Sequence, residues 1–185
     1  MSQKKKQAYT EDKIKTLSSL EHIRLRTGMY IGRTGSGAHY DDGIYILVKE
    51  VIDNGIDEFI MGHGERINVS IEEDMVTIRD FGRGIPLGKV VDCVSKINTG
   101  AKYNDDVFQF SVGLNGVGTK AVNALSTYFL VRSHREGEFV EAEFEGGNLV
   151  REEKGETDEP NGTLVSFPPD PAIFKKFAFN PEHLA

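Results

Sequence analysis

Glu50, Asn54, Asp57 and Glu58 stand at i, i+4, i+7 and i+8. In an α-helix that spacing gathers three acids and one amide on one face. Past Lys49 the stretch offers them no Lys or Arg. Like charges stacked this way weaken a helix slightly, so such a face suits holding a cation or activating a water. Asn54 supplies a neutral oxygen fit for a hard cation such as Mg²⁺, which keeps waters and binds through substrate phosphates. Glu50, one turn earlier, could orient and deprotonate a water attacking a phosphoryl group. An ordinary solvated helix face has the same spacing.

Two further constellations carry chemistry. In Asp80-Phe81-Gly82-Arg83-Gly84-Ile85-Pro86, a carboxylate at a strand end beside glycines could accept a hydrogen bond from an exocyclic amine. Ile85 and Pro86 could floor a flat base, and Arg83 could pair with an acid of the helix. A plain strand-exit turn is the alternative. Gly113-Leu114-Asn115-Gly116-Val117-Gly118 has the pattern G-x-x-G-x-G and opens a helical stretch. Glycines let backbone approach a ligand, and a helix start presents free N–H groups to an anion. It is not a P-loop, because Thr119-Lys120 reverses the required order. Nor is it a dinucleotide fingerprint, since no βαβ unit surrounds it. A glycine-rich helix cap would read the same.

The elements that must position these groups follow from periodicity. Residues 1–13 are polar and form an arm. Ile14, Leu17 and Leu20 begin a helical pattern running into Ile23 and Leu25. The glycine-rich stretch 28–42 reads as loop. The acidic helix follows, with Val48, Val51, Ile52, Ile56, Phe59 and Ile60 as its apolar stripe, and ends near Gly62 and Gly64. Ile67, Val69 and Ile71 alternate, as do Val76 and Ile78 beyond the turn Glu72-Glu73-Asp74, which predicts a hairpin. Residues 90–97 read as a short helix, 98–112 as a long connection, and 119–125 as a helix. Strands are predicted over 128–133, 139–144, 149–152 and 163–167. The expectation is an α/β fold, a mostly antiparallel or mixed sheet with helices on one face. Asn180-Pro181 reads as a helix start that is cut off, the mark of a C-terminally truncated domain over 14–185.

A chain of 185 residues can bury a sizeable core as one domain. Its net charge of -7 gives no overall attraction for DNA or an anionic membrane. Cys93 is the sole cysteine, which excludes an intrachain disulfide and fits a reducing compartment. It sits among Val91, Val94 and Ile97 and reads as a small core residue. No apolar run approaches the ~20 residues of a membrane span. Lys4-Lys5-Lys6 is followed by no apolar segment and is not a signal peptide.

The order Glu-x-x-Asp-Asn-x-x-Asp-Glu at 50–58, Asp-x-Gly-Arg-Gly-Ile-Pro at 80–86 and Gly-Leu-x-Gly-Val-Gly at 113–118, then Val122-Asn123-Ala124-Leu125-Ser126, resembles the ATPase domain of the B-type subunits of type IIA topoisomerases. These belong to the superfamily of gyrase, heat-shock 90, histidine kinase and mismatch-repair ATPases (GHKL, the Bergerat fold, a two-layer sandwich). Gly28-Met29-Tyr30-Ile31-Gly32, Asn98-Thr99-Gly100-Ala101-Lys102-Tyr103 and Gly162-Thr163 agree, and the likeness runs from Tyr9 to Phe167.

The resemblance implies ATP and Mg²⁺ as cofactors. It makes Glu50 the general base and Asn54 the Mg²⁺ ligand. It makes Asp80 the adenine-reading carboxylate, supported by Thr163 through water. Glu58 and Arg83 become the pair beside the adenine pocket, and Gly84, Ile85 and Pro86 its wall. Gly113, Leu114, Asn115, Gly116, Val117 and Gly118 become the phosphate-binding lid, with Lys102 near the phosphates. Tyr9 becomes an arm residue reaching the nucleotide of the other protomer in a dimer. The implied partners are a second copy of the same B-type chain and the A-type chain of the enzyme. That enzyme is cytoplasmic and membrane-free, and it handles DNA as a whole. ATP-competitive inhibitors are the implied small-molecule ligands. Departures are Thr27, Gly55, Phe81 and Asn115, and Glu141 where relatives often carry Arg at the pocket mouth. A protein kinase on the same fold lacks support, since His22 is followed by Ile23-Arg24 rather than a carboxylate. Glu50 argues against a non-hydrolysing sensor.

Overall fold

A computed structural model describes residues 16–97, 99 and 116–184. Tyr9, Lys102, Gly113, Leu114 and Asn115 lie outside them. Six strands form one sheet in the order β1-β2-β6-β3-β4-β5. They are β1 (Ile67–Glu72), β2 (Met75–Asp80), β3 (Tyr128–Arg135), β4 (Glu138–Glu145), β5 (Asn148–Glu156) and β6 (Gly162–Phe167). Every pairing among them is antiparallel, which agrees with the antiparallel or mixed sheet expected from the sequence. The 67–80 hairpin forms as its alternation predicts, with Glu73 at the turn in the left-handed region (φ 55).

Period-two alternation sends one side of each central strand into the helix layer. One cross-strand row runs Val69–Ile78–Val165–Val131–Ala142. Its four inner members are buried and join one cluster with Ile44, Leu47 and Val48 of α3 (Gly43–Ile60) and Val122 and Ala124 of α5 (Gly118–Ala124). Edge strand β5 is exposed along its whole length.

Three local expectations change. The first helix, α1 (Ser19–Leu25), starts later than the apolar pattern suggested, because Ser18 and Glu21 form a reciprocal capping box. Only Leu20 and Ile23 of its apolar residues are core; Leu25 is exposed. A five-residue helix, α2 (Thr27–Ile31), replaces the start of the predicted loop, and it buries Ile31 against Gly43 before Gly32 (φ 67) ends it. On α3, Val48 and Val51 are core, but Phe59 and Ile60 are 61% and 47% exposed. The last turn of α3 overhangs the sheet end, where a crevice of about 270 Å³ lies among Gly55, Ile56, Phe59, Ile67, Asp80 and Phe81.

A fourth helix, α4 (Val90–Ser95), follows a single 3-10 turn at Leu87–Lys89 and packs on α5, where Asn123 donates to the Val94 carbonyl at 3.0 Å. Half-buried Cys93 lies in α4, and burial pushes its thiol up, as fits a structural residue. The C-terminal stretch is tied back at several points, among them backbone bonds from Asp170 to Leu125 and from Ala178 to Ser36, each 2.9 Å. Arg24 bonds both the Ala124 carbonyl and Asp170, each at 2.7 Å. Tyr45 takes an N–H from Asn180 at 2.9 Å. Asn180 caps one 3-10 turn, Pro181–His183.

Candidate functional site

Glu50, Asn54 and Glu58 are half-buried along one side of α3. Asp57 is not part of an open acidic face, being fully buried. Asp53 is buried too and is hydrogen-bonded by Lys49 one turn back. The face is therefore narrower than its spacing implied: two carboxylates and one amide.

Glu58 meets the loop that leaves β2. Arg83 donates to it three times, from its backbone N (2.9 Å) and Nε (2.9 Å) to Oε2 and from Nη2 to Oε1 (2.8 Å). Such a fork fixes geometry as well as charge. Burial pulls the Glu58 carboxyl upward, but the Arg83 hydrogen bonds and charge outweigh it and hold it low. Gly82 makes the approach possible, since a Cβ there would sit 2.7 Å from Glu58 Cβ. Gly55 does the same for α3 against the sheet: a Cβ there would meet Ile67 at 2.7 Å and Asp80 at 3.1 Å. That packing accounts for glycine at a helix-interior position that costs about 1 kcal/mol against alanine.

Asp80 ends β2 on the helix-covered face. Its Oδ1 accepts from Gly82 N at 2.9 Å and Thr163 N at 3.2 Å. Burial prevails over these two bonds and pushes the carboxyl up. Arg79, its neighbour, sends its guanidinium to the carbonyls of Asp80 and Pro160 and stacks 4.7 Å from the Phe81 ring. Gly84 (φ 76) and half-buried Ile85 continue the loop, and Pro86 is exposed.

The start of α5 closes the other side. Gly118 abuts Glu50 so tightly that a Cβ would overlap Oε2, so the carboxylate lies directly against the first residue of that helix. Gly116 has φ 59, and Val117 is the helix cap. Buried Lys120 donates to the Thr99 carbonyl at 2.7 Å. Contacts thus join Glu58, Arg83, Gly82, Asp80 and Thr163 around the exit of β2, and Glu50, two turns back along α3 from Glu58, lies against Gly118.

The structure moves one expectation and adds two residues. Glu141 does not stand at the mouth of this region. It lies on the outer face of β4, 3.6 Å from Arg132 and 3.7 Å from Arg151. Arg135, at the end of β3, is a second arginine beside this loop, donating to the Gly84 carbonyl at 3.1 Å. Ser133 donates to the Ile85 carbonyl at 2.7 Å. Both precede the turn at Glu136-Gly137, which marks the strand end but not what lies beside it.

A sheet covered on one face by helices, with a strand-end carboxylate facing an acid–amide row, defines a two-layer nucleotide-handling domain. Comparison with known proteins makes this specific. The chain belongs to the histidine kinase-, DNA gyrase B- and HSP90-like ATPase family, which matches residues 39–171. It is 62% identical to the B-type subunit of DNA topoisomerase 4 from Borreliella burgdorferi over 97% of this chain and 30% of that protein. It is 41% identical to DNA gyrase B of Thermotoga maritima over 95% of this chain and 28% of that one. The 43K ATPase domain of Thermus thermophilus gyrase B, solved with an aminocoumarin, superposes with a TM-score of 0.73 at 32% identity, covering 91% of this chain and 43% of that one. The likeness is to the ATPase domain of the B-type subunits of type IIA topoisomerases, and the chain spans about three-tenths of those two curated relatives.

Proposed function

We propose that this chain binds ATP with Mg²⁺ and supplies the ATPase of a type IIA topoisomerase, in which nucleotide binding, dimer closure and hydrolysis drive the passage of one duplex through another. The observation that carries the reading is Asp80. Its two donors fall on one oxygen, and it stands at the sheet end beside the site. It accepts the adenine amine through its other oxygen, with Thr163 alongside. Gly84, Ile85 and Pro86 wall the base, and the Arg83–Glu58 fork holds that wall to α3.

Glu50 is the general base. A carboxylate held against the 116–118 turn is placed to take a proton from water attacking a phosphate cradled there. Among the described residues no group of three His, Cys, Asp or Glu could hold an ion alone. A single amide oxygen, Asn54, fits an ion that takes most of its ligands from phosphates and water. When bound, Mg²⁺ neutralises charge on the phosphates. Gly113, Leu114, Asn115, Gly116, Val117, Gly118 and Lys102 contact the phosphates, and Tyr9, in an arm over 1–13, reaches the nucleotide of a second protomer. Residues 14–185 act as one ATP-binding unit. The parent pairs with itself and with an A-type chain in the cytoplasm; no described helix is long and apolar enough to cross a membrane.

Titration calorimetry with a non-hydrolysable ATP analogue and Mg²⁺ tests the core claim. Binding that an aminocoumarin displaces is expected, as the solved gyrase B relative was obtained with one. Absence of binding heat for the analogue sinks the reading.

A further inference from the structure

The helix-covered face of the sheet carries one row unlike its neighbours. The row through Ile78, Val165, Val131 and Ala142 is wholly apolar. The next row towards the site begins with Ile67 paired to Asp80 on β1 and β2. The last β2–β6 pair is Arg79 with Leu164, so one more step brings Asp80 beside Thr163, as the 3.2 Å bond between them requires. Thr163 then pairs with Ser133 on β3, and Ser133 with Val140 on β4. Carboxylate, threonine and serine thus sit on three adjacent strands, in one line, at the edge of the site.

Ser133 is fully buried, and a buried hydroxyl is costly without a partner. Its partner is the Ile85 carbonyl, at 2.7 Å. The neighbouring residues of β3 hold the same loop. Arg135 Nη1 donates to the Gly84 carbonyl at 3.1 Å. His134 O lies 2.5 Å from where a Cβ on Gly84 would be, and Gly84 has φ 76. Two residues of β3 therefore hydrogen-bond two consecutive residues of the loop, with the His134 carbonyl between them close against Gly84. That loop is tied on its other side to α3 by Arg83 and Glu58.

We infer that Ser133 is a specificity-positioning residue, setting the distance between the Gly84–Ile85 wall and Asp80 so that the site accepts a planar base bearing an exocyclic amine and rejects one bearing a carbonyl at that position. This rests on the reading of Asp80 as the group that receives the amine. Ser133 acts through Ile85 and does not itself touch the base. Removing its hydroxyl leaves a carbonyl without its donor. The wall then shifts until that oxygen finds water, and the spacing to Asp80 is lost while the phosphate end is untouched.

The test measures binding of non-hydrolysable ATP and inosine triphosphate analogues, and of inorganic tripolyphosphate, to the chain and to Ser133→Ala, Ser133→Cys and Ser133→Thr, with a thermal midpoint for each. For Ser133→Ala, ATP-analogue affinity should fall about tenfold, the size of one buried hydrogen bond. The inosine analogue should lose less than about twofold, so that discrimination narrows, and tripolyphosphate should be unchanged. Ser133→Thr, which keeps the hydroxyl, should restore discrimination. Ser133→Cys, a weaker donor of nearly the same size, should fall between and covers the case in which the alanine variant does not fold. Equal losses for all three ligands, or wild-type discrimination in both the alanine and cysteine variants, overturn the inference. Failure of the unmodified chain to prefer the ATP analogue over the inosine analogue refutes the Asp80 reading instead.

Discussion

Two glycine-flanked turns each hold an aspartate, Asp42 buried and Asp80 half-buried, and treat it in opposite ways. Asp42, at the entrance to α3, receives the N–H groups of Ser36 (3.2 Å), Gly37 (2.8 Å) and His39 (3.2 Å) on one oxygen. Arg33 Nε reaches its other oxygen at 2.8 Å. Burial pulls its carboxyl up, but those donors and the Arg33 charge win and hold it low. Asp80, at the exit of β2, has two N–H donors on one oxygen, and burial wins. The first acid takes three N–H groups on one oxygen and an ion pair on the other, and serves the fold. The second has its two donors on one oxygen, at a cost in stability, and on the function proposed above it serves a ligand.

Glu50 belongs with Asp80 in this division, and its removal should have the largest effect. In the intact parent, Glu50→Ala should cut ATP turnover at least about 100-fold, the usual contribution of a positioned base. Affinity for a non-hydrolysable analogue should stay within about twofold. Steady-state turnover and calorimetry separate the two; unchanged turnover removes Glu50 from the site acids. Asp42→Ala should do the reverse. Three N–H groups lose their acceptor and Arg33 its ion partner, so unfolding free energy should drop by about 3 kcal/mol in urea titrations. Nucleotide affinity, measured where the variant is folded, should not change. A loss below about 1 kcal/mol would erase the distinction between the loops.

The sequence showed one half of this contrast better than the other. Asp80 was legible because alternation over 67–80 ends on it and glycines follow. The helix at 43–60 was legible from its two faces. Asp42 was not, because its donors lie in a glycine-rich loop without periodicity, in which the short helix around Ile31 was also hidden. Ser133 and Arg135 escaped for another reason. Their strand was foreseen over 128–133, short of Arg135, but strand order was not. β6 inserts between β2 and β3, and only that insertion puts Thr163 between Asp80 and Ser133. Alternation gives the face a side chain occupies, not which strand lies next to it. Phe59 and Ile60 fit the apolar stripe of α3, yet the sheet beneath them runs out.

Asp80→Asn sharpens the comparison with a signed pH dependence. A raised folded carboxyl means the fold binds that proton more tightly than the unfolded chain, so this group's contribution to stability falls as pH rises through the window from its ordinary value of 3.8 to the raised one. The empty variant should therefore melt no lower than the parent chain at neutral pH, while ATP affinity falls about tenfold to 100-fold through loss of a charge-assisted bond. The loss should be smaller for a triphosphate whose base lacks the amine. A sharp drop in the thermal midpoint at pH 7 would make Asp80 a second acid that serves the fold.

His134 tests the strand that supports the Asp80 loop. It is buried, with Phe139, Arg79, Arg132 and Glu159 around it, and burial followed by the two arginine charges holds its imidazole low. The fold thus favours neutral His134. Its stability contribution is complete above the ordinary value of 6.5 and is lost as pH falls below it. Melts between pH 7.5 and about pH 5.5 should slope downward on the acid side, and His134→Gln should flatten that slope. In that window Asp42 and Glu58, both held low, stay charged, so a slope that survives the substitution assigns it elsewhere.

The smallest effect should come from Asp53, which tests whether proximity alone makes an acid functional. It stands one residue before Asn54 on the same helix and, at 6% exposure, is more buried than Glu50, Asn54 or Glu58. Yet Lys49, one turn back, already bonds it. The side chain of Lys49 is 59% exposed, and a pair reaching into solvent at i, i+4 contributes only about 0.3–0.5 kcal/mol. Asp53→Asn keeps the shape and an acceptor for Lys49, so the urea midpoint should barely move and nucleotide affinity should stay within about twofold. A loss of more than about tenfold in affinity would show that the acid next to Asn54 faces the ligand after all. The boundary between fold-serving and ligand-facing acids would then run through α3 one residue earlier than its hydrogen bonds place it.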